Sequence, residues 1–303
     1  MKKVSSLFAV LLSLIILLTG CERAVVFNPK GPVAEIQANV ISFSAIIMAV
    51  VLIVVYVLYV FMLVKYRATK KTESYEPPHV EGSKWLEVTW TAIPIIIVIV
   101  LSVVTIRSTY AIEKPPAGYE NQPPVVIYAS TSNWKWHFSY PEEGIETVNY
   151  VNIPTNRPIE FRLYSFGPIT SFWVPQLAGQ KYAMSDMVTK LHIAAEHEGS
   201  YVGKNANFSG EGFAHMEFEV RAMNSKDYSE WVDEVKATAP KLTESEFQTL
   251  LDTAHVGIKT YTSTHLEFLP APEGARAGHQ HGDMQSDTDM KDMNHTDHTK
   301  GKK

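Results

Sequence analysis

The stretch VISFSAIIMAVVLIVVYVLYVFMLV, residues 40–64, runs for 25 positions without a charge. At 1.5 Å per residue it makes about 37 Å of helix, more than a hydrocarbon core of about 30 Å requires. A second uncharged run, VTWTAIPIIIVIVLSVVTI, fills residues 88–106 and reaches about 28 Å, with Pro94 near its start, where the ring disturbs a helix least. Both are predicted to span a membrane. Between them, in residues 65–87, lie Lys65, Arg67, Lys70, Lys71 and Lys84, whereas the outer flanks carry only Arg23, Lys30, Arg107 and Lys114. That asymmetry places the connecting loop on the cytoplasmic side and both ends of the chain outside. Trp85, Trp90, Tyr66 and Tyr110 sit near the two interfaces, which amphipathic rings favour.

Upstream, Lys2 and Lys3 precede the apolar residues 7–18. This is the charged and hydrophobic pattern of a secretion signal, too short to span comfortably, so residues 1–20 are expected to be removed. The run Leu18-Thr19-Gly20-Cys21 resembles the bacterial lipoprotein signal, in which the cysteine thiol takes a diacylglycerol and becomes the new N-terminus. Residues 21–39 then form a short outer segment. Cys21 is the only cysteine among 303 residues. No internal disulfide is possible, and no thiolate is available to anything further along. The net charge of −5 offers no basic surface for nucleic acid.

A linker at residues 107–124 is stiffened by Pro115, Pro116, Pro123 and Pro124, and after it the pattern changes from continuous apolar runs to alternation. Ile159, Phe161 and Leu163 alternate with Glu160, Arg162 and Tyr164; Met216, Phe218 and Val220 alternate with Glu217, Glu219 and Arg221. Period two predicts half-buried antiparallel strands with one wet face. Further short candidates lie at residues 125–129, 134–140, 147–151, 188–194 and 199–202. Seven or so strands within residues 125–224 predict a Greek-key sandwich or barrel. From residue 225 the spacing turns helical, with Tyr228, Trp231, Val232 and Val235 on one face. A second short helix follows at residues 244–251 after the cap candidate Thr243. Residues 225–272 are therefore read as a helical extension on the domain's edge. Residues 273–303 are too polar to build a core and are expected to be disordered. They hold His279, His281, Met284, Met290, Met293, His295 and His298 among aspartates, a composition that can capture copper but is read here as a solvated tail.

Three motifs carry a family resemblance. Leu86-Glu87-Val88-Thr89-Trp90-Thr91-Ala92-Ile93-Pro94 enters the second span; Ser171-Phe172-Trp173-Val174-Pro175-Gln176-Leu177 and Met216-Glu217-Phe218-Glu219-Val220 lie in the outer domain. In this order, from residue 21 to about residue 235, they resemble subunit II of the haem-copper respiratory oxidases. The resemblance implies two membrane helices followed by a cupredoxin-like domain.

In the cytochrome c-oxidising branch that domain carries a dinuclear copper centre, built from two bridging thiolates, two imidazoles, a thioether and a backbone carbonyl, soft ligands suited to the metal. The family pattern sets the first histidine at Thr170, the Cys-Glu-Cys positions at Asn205, Asn207 and Ser209, and the second histidine at Phe213. Only Met216 retains a ligand type. By strand alternation His192 and His215 face away from the apolar side, and Met216 falls in the inward set. The ligand loss resembles the quinol-oxidising branch, the aa3-type or bo-type oxidases of menaquinol or ubiquinol.

That resemblance implies a complex that oxidises membrane quinol, reduces oxygen to water and pumps protons across a bacterial plasma membrane. The chain itself would hold no cofactor and no independent active site. Haems and copper would reside in subunit I, with smaller membrane subunits as further partners and cytochrome c excluded. Glu87 begins the second helix, where the helix dipole favours a carboxylate by about 0.3–1 kcal/mol. It also falls on the position of a family glutamate at the mouth of a proton-uptake path. Trp134 and Trp136 are expected to share a strand face and to serve packing. No nucleophile, general-base or phosphate-loop constellation suggests catalysis by the chain alone. The alternative reading is a membrane lipoprotein that binds or delivers copper through its His and Met tail.

Overall fold

A computed structural model describes residues 24–67 and 82–273. Cys21 and the signal segment, the central part of the inter-helix loop and the His and Met tail lie outside the described residues.

Helix α1, Pro32–Lys65, and helix α2, Lys84–Ile112, are long and apolar enough to cross a membrane. Pro32 at the first helical position supplies a φ already suited to the helix. Both helices outrun their uncharged stretches. For α2 this places Pro94 in the helix interior, not near its start, so the Trp90 carbonyl has no N–H four residues on to accept from.

The outer domain is two mixed sheets facing one another. The strands are β1 Val125–Ser132, β2 Lys135–Tyr140, β3 Ile145–Val148, β4 Tyr150–Pro154, β5 Pro158–Ser165, β6 Thr170–Trp173, β7 Lys181–Ala183, β8 Thr189–Ala194, β9 Gly199–Asn205, β10 Glu217–Met223 and β11 Lys259–Tyr261. The first sheet runs β11-β3-β2-β1-β5-β8 and the second β4-β10-β9-β6-β7. The antiparallel expectation needs correcting at two places. β1 pairs parallel to β5, with Val125 opposite Ile159, and β4 pairs parallel to β10, with Val151 opposite Val220. The predicted strand at residues 147–151 is in fact two strands. Asn149, in the left-handed region at φ 61°, turns the chain from the first sheet into the second. Its side chain holds the corner by accepting from the Trp136 N–H at 3.0 Å and donating to the Val256 carbonyl at 2.7 Å.

The inward sets read from the alternation meet between the sheets. Ile159, Phe161, Leu163, Met216, Phe218 and Val220 are all buried. Phe172 is the hub of an aromatic cluster, with ring centroids 4.8 Å from Phe161 and 5.0 Å from Phe218. Aromatic pairs at this spacing add to the burial of their area.

The predicted wet face of β5 is not wet. Tyr164 is 1% exposed, because the C-terminal extension lies over it with His265 on its hydroxyl, and Glu160 is 8% exposed between Arg162 and Lys190. The extension contributes strand β11, paired to β3, and a second small core of Val148, Leu242, Phe247, Leu250 and Tyr261. Its helices are α3, Ser225–Thr238, and α4, Glu244–Asp252. Asn224 caps α3 by accepting from the Asp227 N–H, and Thr243 caps α4 by accepting from Glu246. The extension is therefore more than two helices at an edge: α3 packs beside β3 and the edge strand β4, with Tyr228, Val232 and Val235 in the main core, while α4 and β11 add a cover layer to the first sheet.

The start of α1 is embedded in this domain. Val33, Ala34 and Ala38 are buried, the Lys30 N–H donates to the Gln176 carbonyl at 2.8 Å, and Glu196 donates to the Lys30 carbonyl at 3.0 Å. Gly31 is required here for close approach: a Cβ would fall 2.0 Å from the Ala194 carbonyl oxygen. At the end of α2, Glu113 pairs with Lys181 of β7 at 2.6 Å. Gly31→Ala is expected to push the junction apart and to cost about 1–3 kcal/mol. In detergent, hydrogen exchange at the Lys30 and Glu196 amides should accelerate while that of Phe138 in the sandwich core stays unchanged.

Candidate functional site

At one end of the sandwich β6 begins with Thr170 and β9 ends with Asn205. The connection back to β10 passes through a short 3-10 turn, Glu211–His215. Phe172 stands opposite Asn205 in the β6–β9 ladder, which brings the start of the connection beside β6. Asn205 is 3% exposed. Its Oδ1 accepts from the Ser171 N–H at 2.8 Å and the Asn207 N–H at 3.0 Å. Its Nδ2 donates to Ser209 Oγ at 2.9 Å and to Met216 Sδ at 3.3 Å. An amide side chain offers two donors and two acceptor lone pairs, so Asn205 is fully engaged.

The other singled-out positions divide. Thr170, Ser209 and Met216 line a cavity of about 140 Å³ together with Thr131 and Trp134. Thr170 Oγ1 lies 3.1 Å from Thr131 Oγ1, and the Ser209 carbonyl accepts from the Trp134 indole N–H at 3.1 Å. Asn207 instead donates to the Ile169 carbonyl at 2.8 Å, and Phe213 packs on Phe208 with centroids 5.6 Å apart. Gly210, at φ 108°, begins the turn. Gly212 has no room for a Cβ, which would lie 2.3 Å from the Trp134 ring.

Trp134 does not share a strand face with Trp136. Asn133 and Trp134 form a left-handed turn, at φ 32° and 61°, before β2 begins. Trp136 is buried in the core, whereas Trp134 stacks on His255 at 5.5 Å and closes the cavity. His215 is exposed, with its ring 6.2 Å from His255. His192 is half-buried opposite Glu160, and burial pushes its imidazole below the ordinary value.

This donor set does not fit copper. Around the cavity stand hydroxyls, a neutral amide already engaged and one thioether, where the metal needs thiolate or imidazole. Among the described residues no three His, Cys, Asp or Glu side chains come together as a possible metal site.

Residues 30–107 match the family model described as the transmembrane domain of cytochrome c oxidase subunit II. Quinol oxidase subunit 2 of Bacillus cereus is 48% identical over 259 residues, covering 85% of this chain and 89% of that protein. The chain belongs to the quinol oxidase subunit 2 family. The Bacillus subtilis quinol oxidase subunit 2 is 46% identical over 260 residues, covering 86% of this chain and 81% of its own. Among solved structures, the periplasmic domain of cytochrome oxidase subunit II from Bradyrhizobium japonicum matches 37% of this chain and 94% of its own, at 21% identity and a TM-score of 0.36. The assignment rests on the Bacillus relatives. As a quinol oxidase subunit 2, the chain is a membrane-anchored member of a respiratory complex, and among the described residues its two-sheet domain gathers no set of side chains that could hold a metal.

Sequence reasoning missed a buried polar cluster on the opposite side of the first sheet. Glu146 and His265 are both 0% exposed, and His265 Nδ1 lies 2.8 and 2.9 Å from the two carboxylate oxygens. The His265 backbone N–H also donates to Glu146, at 2.7 Å, and its Nε2 is 2.5 Å from the Tyr164 hydroxyl. His137 beside them bonds Ser132 Oγ at 2.8 Å. Burial, then the neighbouring His265 and Lys135, push the His137 imidazole well below its ordinary value. Lys135 is buried too, and its ammonium donates to the carbonyls of Ser132 at 3.2 Å and Thr253 at 2.6 Å. Lys135, His137 and Ser139 alternate with Trp136, Phe138 and Tyr140 as the polar side of a half-buried strand does; nothing in that alternation announces a covering layer.

Asn205→Ala leaves the Ser171 and Asn207 N–H groups without their acceptor and is expected to cost about 2–3 kcal/mol, read as a lower urea midpoint of the outer domain. A second expectation concerns Lys135, whose burial lowers its pKa from 10.5 to about 8. Between those values the unfolded chain holds the proton and the folded one does not, so stability rises with pH across that window. Thermal melting of the wild type and of Lys135→Met at pH 7.5 and pH 10 should show this contribution only in the wild type. An equal change in both proteins would refute it.

Proposed function

We propose that this subunit serves its quinol oxidase as an outer scaffold and assembly partner, with electrons entering the complex elsewhere. The observation that carries the reading is the engagement of Asn205 with Ser209 and Met216, which fills positions that match copper ligands in the cytochrome c-oxidising branch. Thr170 and Phe213 stand for the two histidines of that pattern, Asn205 and Ser209 for the bridging cysteines and Asn207 for the residue between them. Cytochrome c delivers electrons from water and requires a metal port on the outer domain. Quinol is dissolved in the membrane and can be oxidised within an integral subunit, so such a port is redundant. On this reading a haem-bearing subunit I supplies haems, copper and the quinol pocket.

Two finer assignments belong to the same proposal. Cys21 carries a diacylglyceryl anchor after removal of residues 1–20, which agrees with both ends of the chain lying outside. Glu87, in the first turn of α2, stands at a cytoplasmic proton entrance. The deciding experiment compares oxygen consumption by the purified complex with a reduced quinol and with reduced cytochrome c. Quinol alone should support turnover, and oxidation of cytochrome c instead would sink the proposal. Glu87→Gln is expected to slow turnover when proton supply is limiting, with haem content unchanged; turnover equal to wild type would remove Glu87 from the path.

A further inference from the structure

Beneath the sandwich, the first turns of α1 and the last turns of α2 enclose a groove of about 600 Å³. Val26, Ile36 and Ile41 form one side, Ile112 lies on the other, and Trp173 closes it towards the domain. No lining residue is charged; the polar groups there are neutral, among them the Gln37 amide and the Thr109 hydroxyl. Because α1 enters and α2 leaves the membrane at this level, the groove sits at the boundary between headgroups and acyl chains of the outer leaflet.

Its chemistry favours a fatty ester. Apolar walls suit a hydrocarbon chain, and neutral amide and hydroxyl groups suit ester carbonyls. Among the lining residues a phospholipid headgroup finds no cation to pair with its phosphate.

The position of the N-terminus identifies which ester is at hand. Val26 is itself a wall of the groove, and Cys21 precedes Ala24 by three residues, a distance of at most about 11 Å even when fully extended. A tethered group at that range competes at an effective concentration of the order of millimolar, an advantage free lipids of other chemistry lack. We propose that the diacylglyceryl group on Cys21 lays an acyl chain in this groove and so seals the junction of α1, α2 and the sandwich. This rests on the lipid modification of Cys21 proposed above.

The test uses the whole complex, purified from cells grown on a diazirine-bearing fatty acid. Mass spectrometry of the N-terminal peptide first reads whether Cys21 carries the lipid. An unmodified Cys21 would overturn both the modification and its placement. With the modification present, irradiation should join the Cys21 peptide through its acyl chain mainly to residues 36–41 and 105–112. Ile36→Trp, which fills the groove, should reduce those links several-fold. Links confined to the α1 surface around Ile46 and Met48, or groove adducts of free phospholipid in place of the Cys21 chain, would overturn the placement and leave the lipid modification standing.

Discussion

The backbone approach of Gly31 to Ala194 fixes where the sandwich stands over the membrane. Any side chain at residue 31 would collide with the Ala194 carbonyl, and the glycine lets the Lys30 peptide bond to both Gln176 and Glu196. The first turns of α1 thereby become part of the domain core, with Val33 and Ala34 almost fully hidden. A helix joined to a domain only by a linker would leave that domain free to tumble. Here the junction has core-like packing on one side and the Glu113–Lys181 pair on the other, so the β6–β9 end of the sandwich holds a set position over the helices.

How much of this was legible depended on which physical signal each feature leaves in a sequence. Uncharged length declares a membrane span, and period two declared the inward sets Ile159–Phe161–Leu163 and Met216–Phe218–Val220. Alternation does not report strand direction, so the parallel β1–β5 and β4–β10 pairs were missed. It does not reveal what covers the second face either. Tyr164 and His137 have the composition of a wet face and are buried by a strap that brings His265 and Phe247 from more than a hundred residues away. At the site, the residue types were decisive: a chain whose only cysteine is Cys21 cannot bridge two copper ions in its outer domain. The engagement of Asn205 with four partners left no trace, because it depends on where β6, β9 and the turn before β10 meet.

The polar cluster under the strap has its own logic. A carboxylate buried at 0% exposure is costly unless fully bonded, and Glu146 meets that condition through His265, whose ring and backbone N–H both reach it. The same contact helps to fix the register of the strap, since the His265 ring and its backbone N–H meet one carboxylate together. Apolar packing of Phe247, Leu250 and Tyr261 gives the strap adhesion; the Glu146–His265 contact gives it an address.

The amide of Asn205 has a consequence for biogenesis. Where a metal organises a loop, the loop is complete only after the metal arrives, and folding is linked to metal supply, redox state and delivery proteins. In this subunit the segment between β9 and β10 is organised by groups the ribosome has already installed: an amide, a hydroxyl, a thioether and two backbone N–H groups. None of these contacts waits on a metal. Scarcity of copper would then leave the order of this segment untouched.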